Sequence, residues 1–305
     1  MIIDSVLMIA FGGPTTREEI CPFLEIVTRG RGIPKERIEE VARHYERMPG
    51  ARSPLNDLTE RQAAALRAGL ERAGRPLPVF VGMRNWHPFL HETLAEMGER
   101  GARRAVGLIM SSLRTEASWE RYQQDVDEAR ARVPGAPEVD YAPAWSDHRL
   151  FIEAVADRAA AALAEVPAER RPWTPLIFTA HSIPVAMAEA SPYVAELTES
   201  ADRVARRLQH KRWSIAYQSR SGGPHDHWLE PDIGDVMRSL ANDGERDVVV
   251  VPLGFVGDHV EVLYDLDVEA RAIAEERRVR FHRAAALNDH PLFVELLVEL
   301  VRNAR

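Results

Sequence analysis

Two stretches of this chain place ionisable side chains directly after apolar runs: Phe178-Thr179-Ala180-His181-Ser182-Ile183-Pro184 and Gly254-Phe255-Val256-Gly257-Asp258-His259-Val260-Glu261. The first continues from Leu176-Ile177 and the second from Val248-Val249-Val250-Val251-Pro252-Leu253. Each therefore reads as a buried parallel strand that delivers a histidine or a carboxylate at its carboxyl end. In open α/β sheets that edge is where ligands bind. A lone histidine at a strand end is usually a hydrogen-bonded structural residue. Glu261 changes the balance, because a carboxylate beyond a second strand end can face the His181 imidazole. Imidazole plus carboxylate with open positions suits Fe²⁺, and a neutral imidazole backed by a carboxylate accepts protons near neutral pH. Asp265 and Glu269 continue from Glu261 at i+4 and i+8 on one face of an expected helix, with Asp267 on another face. Spacing alone also fits a solvated helix surface; with Glu261 at its head, the stripe offers oxygen ligands along a route for a hydrated divalent ion.

Most of the remaining candidates lie in the amino-terminal half. Phe11-Gly12-Gly13-Pro14 has glycines but neither the third glycine of a dinucleotide turn nor a Gly-Lys-Ser continuation, so nucleotide binding is not expected. The glycines let backbone approach a flat ligand, with Phe11 against it. Arg29 and Arg31, with Lys35 and Arg37 nearby, form the densest basic cluster near an expected site edge. Tyr45 and Ser53 are neutral donors that could join it. Asn85, Tyr122 and Trp228 are further candidates that read equally well as packing residues.

Apolar strand-like runs at 3–10, 77–81, 105–110, 176–180, 213–217 and 247–253 alternate with helical patterns at 59–73, 119–132, 151–163 and 192–208. That alternation predicts an α/β protein with parallel sheets covered by helices. The Pro- and Gly-containing stretch Val133-Pro134-Gly135-Ala136-Pro137 and the following Ala142-Pro143-Ala144-Trp145 break the pattern near the midpoint. The reading is two doubly wound, Rossmann-like halves, 1–145 and 146–305, facing a central cleft.

The chain has 305 residues, 45% apolar and 28% charged, as expected of a globular protein. Its net charge of −8 disfavours a general nucleic-acid footprint. Its amino-terminal apolar run is short and broken by Asp4, which reads as a strand and not a signal peptide, and no stretch reaches the length of a membrane span. A cytoplasmic protein without membrane insertion is expected. The single cysteine, Cys21, excludes an internal disulfide and any all-cysteine cluster within one chain.

Taken in order, these segments resemble the signatures of ferrochelatases, which insert ferrous iron into a porphyrin. The resemblance spans nearly the whole chain and includes Thr28-Arg29-Gly30-Arg31-Gly32, Ser53-Pro54-Leu55, Arg84-Asn85-Trp86-His87-Pro88, Gln218-Ser219-Arg220-Ser221-Gly222 and Trp228-Leu229-Glu230-Pro231-Asp232. It implies that His181 and Glu261 form the catalytic pair and that they, Asp265 and Glu269 handle the metal. Phe11, Arg29, Arg31, Tyr45, Ser53, Asn85 and Tyr122 would contact the porphyrin, the arginines binding its propionates. It also implies that the last helix packs back across the molecule and that a π-type widening occurs in the acidic helix. Phe11 stands where many coproporphyrin-using relatives have tyrosine; phenylalanine is known there among the actinobacterial-type members, which this sequence most resembles. Several actinobacterial relatives hold a [2Fe-2S] cluster through four cysteines; one cysteine cannot. The resulting expectation is a monomeric coproporphyrin III ferrochelatase, with iron as substrate, no cofactor and transient contacts with heme-pathway enzymes. The rivals are a protoporphyrin IX or other tetrapyrrole chelatase, and a non-catalytic tetrapyrrole carrier.

Overall fold

The computed structural model describes residues 2–30, 32–221 and 226–304. Its strands are β1 (Ser5–Ala10), β2 (Val79–Met83), β3 (Arg104–Ile109), β4 (Glu138–Tyr141), β5 (Leu176–His181), β6 (Trp213–Gln218), β7 (Asp247–Val251) and β8 (Arg280–Arg283). They form two four-stranded sheets, β2-β1-β3-β4 and β6-β5-β7-β8, and every pairing is parallel. The chain divides into two compact units. One comprises Met1–Met110, Trp119–Pro143 and Val294–Arg305; the other comprises Ser111–Ser118 and Ala144–Phe293.

Sequence explains the layering. β1 and β7 are buried along their whole length, and the four consecutive valines of β7 suit a strand covered on both faces. In the second unit, Ile177, Val248, Val250 and Phe281 pack with Met237, Val262, Leu266 and Ala274 from the covering helices. Two edge strands were missing from the sequence reading. β4 and β8 have four residues each, and they alternate in burial or carry charge instead of forming an apolar run.

Both sheets have the same strand order, and in each the direction of winding reverses between the first and third strands of the unit. That reversal opens a crevice at the carboxyl ends of β1 and β3 in one unit and of β5 and β7 in the other. In the second unit the register sharpens the crevice: β7 ends at Val251, opposite Phe178, while β5 continues to His181 beside Gln218 of β6. The loop after β7 then folds tightly onto β5, with Gly254 donating to the Thr179 carbonyl at 3.0 Å. A Cβ on Gly254 would lie 2.6 Å from Ala180 Cβ and 2.9 Å from Ala180 Cα, so glycine is needed for this approach.

Candidate active site

His181 is the last residue of β5, and its backbone is held from two sides. The Tyr193 hydroxyl donates to the His181 carbonyl at 2.8 Å, and the next residue, Ser182, donates its N–H to the Gln218 carbonyl at 2.7 Å. On the ring, Nδ1 contacts the Ser182 carbonyl, which accepts only, so Nδ1 carries a proton. In the neutral tautomer the lone pair is therefore on Nε2, and Nε2 lies 3.7 Å from Oε1 of Glu261.

Glu261 is delivered by the loop after β7 and sits in the first turn of the helix Val260–Tyr264. His259 caps that helix, its Nδ1 accepting the Val262 N–H at 3.4 Å. This leaves His259 Nε2 as the donor, 3.8 Å from the second Glu261 oxygen. The Gln218 side-chain amide donates to the Glu261 carbonyl at 2.9 Å, which ties β6 to the same helix. One carboxylate is thus flanked by two imidazoles.

Electrostatics follow from this geometry. Burial disfavours the charged form of both partners, yet the mutual attraction wins: the Glu261 carboxyl is drawn down to about 2, chiefly by the His181 charge and hydrogen bond, with His259 adding to it. His181 is displaced upward, its desolvation outweighed by Glu261, the Ser182 carbonyl and Asp265. Asp265 goes the other way. Burial, together with the like charges of Glu261 and Glu269, pushes it up to about 7 against the pull of Ser219. Ser219 donates its hydroxyl to Asp265 Oδ2 from a left-handed backbone conformation at φ 63°. Two carboxylates four residues apart are thereby driven to opposite protonation behaviour, a pattern that accompanies acid–base work.

The acidic stripe does not run along a regular α-helix. After Val260–Tyr264 the chain forms a π-helix over Asp265–Ala270 and returns to α-helix at Arg271–Glu276. The wider turn alters the even i, i+4, i+8 phase; Asp265 is half-buried and Glu269 exposed. Among the described residues no group of three or more His, Cys, Asp or Glu side chains is already arranged to hold a metal ion. His181 and Glu261 stand together as a pair, without a third such side chain placed among the described residues to hold an ion with them.

The candidates of the other unit gather around a different centre. Phe11, at 37% exposure, packs edge-on against Phe23 with ring centroids 6.4 Å apart, and Tyr45 meets the same ring at 5.9 Å. Asn85 donates its side-chain amide to the Phe11 carbonyl at 3.1 Å. Arg29 is exposed just past the helix Ile20–Thr28 that carries Phe23. Arg31 lies outside the described residues. Ser53 is buried, with its hydroxyl accepting the Leu55 N–H at 3.2 Å, and it packs where a Cβ on Gly13 would stand 2.6 Å from its own. Tyr122 is buried in the core of its unit beneath the Arg84 guanidinium, 4.1 Å from the ring centroid. The structure therefore groups Phe11, Tyr45 and Asn85 on one aromatic surface, and it gives Ser53 and Tyr122 packing surroundings.

Sequence reasoning passed over Ser219 and Tyr193 as site residues. Ser219 lies inside one of the quoted motifs, so a signal existed; nothing local marks Tyr193, which reaches His181 only through folding. Trp228 bridges to Pro184 beside the His181 loop, and its indole N–H is buried without a hydrogen-bond partner among the described residues.

A family model described as Ferrochelatase matches residues 4–305. The chain is 43% identical to the coproporphyrin III ferrochelatase of Mycolicibacterium smegmatis, covering 99% of this chain and 89% of that protein. It is likewise 43% identical to the coproporphyrin III ferrochelatase of Nocardia farcinica, covering 99% and 88%. Among solved structures, SirB from Bacillus subtilis with Fe³⁺ superposes with a TM-score of 0.59 at 12% identity, covering 99% of this chain and 95% of that one, which shows a shared fold.

Proposed function

The chain belongs to the ferrochelatase family, and from that premise we propose that it inserts Fe²⁺ into coproporphyrin III, giving iron-coproporphyrin III and two protons. Its similarity to coproporphyrin III ferrochelatases along almost its full length supports the choice of porphyrin. The observation that carries the chemistry is the His181–Glu261 pair, 3.7 Å apart at the winding reversal of its sheet.

Insertion requires that two pyrrole N–H protons leave as the metal arrives. In its neutral form His181, with Nδ1 committed to the Ser182 carbonyl, offers Nε2 as the acceptor, and Glu261 beside it raises its affinity for that proton. Once His181 is protonated, its imidazolium is stabilised by the Glu261 carboxylate, which that same charge holds down at about 2. Glu261 is also a hard oxygen donor for incoming Fe²⁺. Asp265, poised at about 7, exchanges protons near neutrality and extends the line of oxygens towards Glu269. Iron is the substrate here and no resident cofactor is invoked. No helix among the described residues is long and apolar enough to cross a membrane. In this reading the enzyme works in the cytoplasm as a monomer, and Arg29 with the Phe11 and Tyr45 surface receives the macrocycle.

The test is anaerobic mixing of the protein, Fe²⁺ and coproporphyrin III while the free-base absorption bands are followed. Enzyme-dependent collapse of those bands is expected. Tight porphyrin binding without metal insertion would instead identify a carrier, and faster turnover of protoporphyrin IX would change the substrate while leaving the chelatase reading in place.

A further inference from the structure

We propose that Arg283 is a positioning residue for metal insertion, its guanidinium clamping Asp258 and Asp267 at the two ends of the segment that presents Glu261 and Asp265. The proposal rests on the role assigned above to that segment and concerns what holds it in shape. Arg283 ends the edge strand β8 and its side chain is only 13% exposed. Its Nη1 donates to Asp258 Oδ1 and its Nε to Asp267 Oδ1, both at 2.7 Å.

Those contacts separate the acidic residues of the segment into two kinds. Asp258 also accepts from the Asn288 side-chain amide at 2.7 Å and from the Ala286 N–H at 3.2 Å, while its own N–H donates to Asn288 Oδ1 at 2.9 Å. Asp267 takes a further bond from Arg271 at 3.3 Å. Both carboxylates are occupied by donors and are poor candidates for ion ligands. Glu261 and Asp265 lie between them in sequence and face His181 and Ser219 instead.

The clamp is set where it is mechanically needed. The segment passes from a loop into an α-turn and then into the π-helix Asp265–Ala270. π-Turns are rare, so side-chain anchors that fix the phase on either side matter more here than along a regular helix. The anchor is referenced to the sheet, because Arg283 is in register with Val250 of β7, the strand from which the Glu261 loop departs. Two carboxylates approached through different nitrogens of one planar fork require arginine, and the single ammonium of a lysine cannot reproduce the pair.

The experiment uses the full chain carrying Arg283→Lys, Asp267→Asn or both. For each, kcat and the separate KM values for Fe²⁺ and coproporphyrin are measured, together with Co²⁺ affinity in the absence of porphyrin, read from its visible absorption, and the melting temperature. Loss of outer-sphere support typically costs about 10–100-fold in metal affinity or activity. We expect a loss of about that size in kcat/KM for Fe²⁺ and a parallel weakening for Co²⁺, with the porphyrin KM unchanged. The double variant should be little worse than either single one, since both break one unit. Wild-type Fe²⁺ kinetics and Co²⁺ affinity in Arg283→Lys and Asp267→Asn would overturn the clamp alone, as would activity that falls only in proportion to the unfolded fraction. A wild-type protein that inserts no metal would overturn the underlying reading as well.

Discussion

Replacing Asp265 with asparagine should make the protein more stable and less active, and the gain in stability should grow with pH. In the folded chain this carboxyl titrates at about 7, raised from 3.8 by burial and by the charges of Glu261 and Glu269. A carboxyl raised in this way binds its proton more tightly when folded. Its contribution to stability is complete below the unfolded value and is lost as pH climbs through the folded one. Each unit of that interval corresponds to about 1.4 kcal/mol. From pH 5 to pH 7 the loss is therefore about 2.3 kcal/mol, and because Asp265 is only half-buried, water reduces this to about 1–2 kcal/mol. Asparagine has no charge to desolvate and keeps an oxygen to accept the Ser219 hydroxyl. Urea unfolding followed by tryptophan fluorescence at pH 5, 6, 7 and 8 measures the difference between the two proteins. The variant should gain about 1–2 kcal/mol relative to wild type across that series, while its kcat/KM for Fe²⁺ falls. A difference that is flat in pH would mean that Asp265 is already ionised at pH 5, and one that shrinks as pH rises would mean that the folded chain releases protons more readily than the unfolded one; either would refute the argument.

Four further outcomes follow from the same geometry. His181→Ala should lower metal insertion by about 10²–10⁴ while coproporphyrin binding, read by fluorescence quenching, stays intact; near-normal turnover would remove His181 from the reaction. Glu261→Gln removes an anion 3.7 Å from the His181 ring. At bulk-water permittivity that attraction is about 1 kcal/mol, so His181 should become neutral at a lower pH in an NMR titration, and an unmoved midpoint would contradict the pairing. Gly254→Ala forces a methyl group against the Ala180 backbone, and a destabilisation of about 1–3 kcal/mol in thermal or urea unfolding is expected, with a loss of activity as the end of β5 shifts. Arg29→Ala should weaken coproporphyrin more than protoporphyrin, and wild-type affinity for coproporphyrin should decline as salt is added, because an exposed cation binding propionates is screened.

Features encoded by neighbouring residues could be read directly from the sequence. The valines of β7 and the run Leu176-Ile177-Phe178 announce buried parallel strands whatever surrounds them, and the parallel α/β class follows from their alternation with helices. β4 and β8 carry no such signature, because a short edge strand is stabilised by pairing on one side and need not be apolar on both faces. The acidic stripe was visible as a pattern. Its chemistry was not, because Glu261 is drawn down by His181 and His259, which reach it from β5 and the loop after β7, while Asp265 is pushed up by burial and by the charges of Glu261 and Glu269.

The same limit explains why Asp267 and Arg283 escape a reading based on spacing. Asp267 looks like a stripe residue displaced onto the wrong face, and Arg283 looks like an unremarkable cation at the end of a strand. Their pairing at 2.7 Å across sixteen positions shows that the off-face carboxylate is fixed by its partner. A site of this kind needs acidic side chains for two opposed purposes. In the proposed reaction Glu261 and Asp265 stay available, at a cost in desolvation and like-charge repulsion, whereas Asp258 and Asp267 are paired with Arg283. Spacing treats the four carboxylates alike, and only the position of the guanidinium tells them apart.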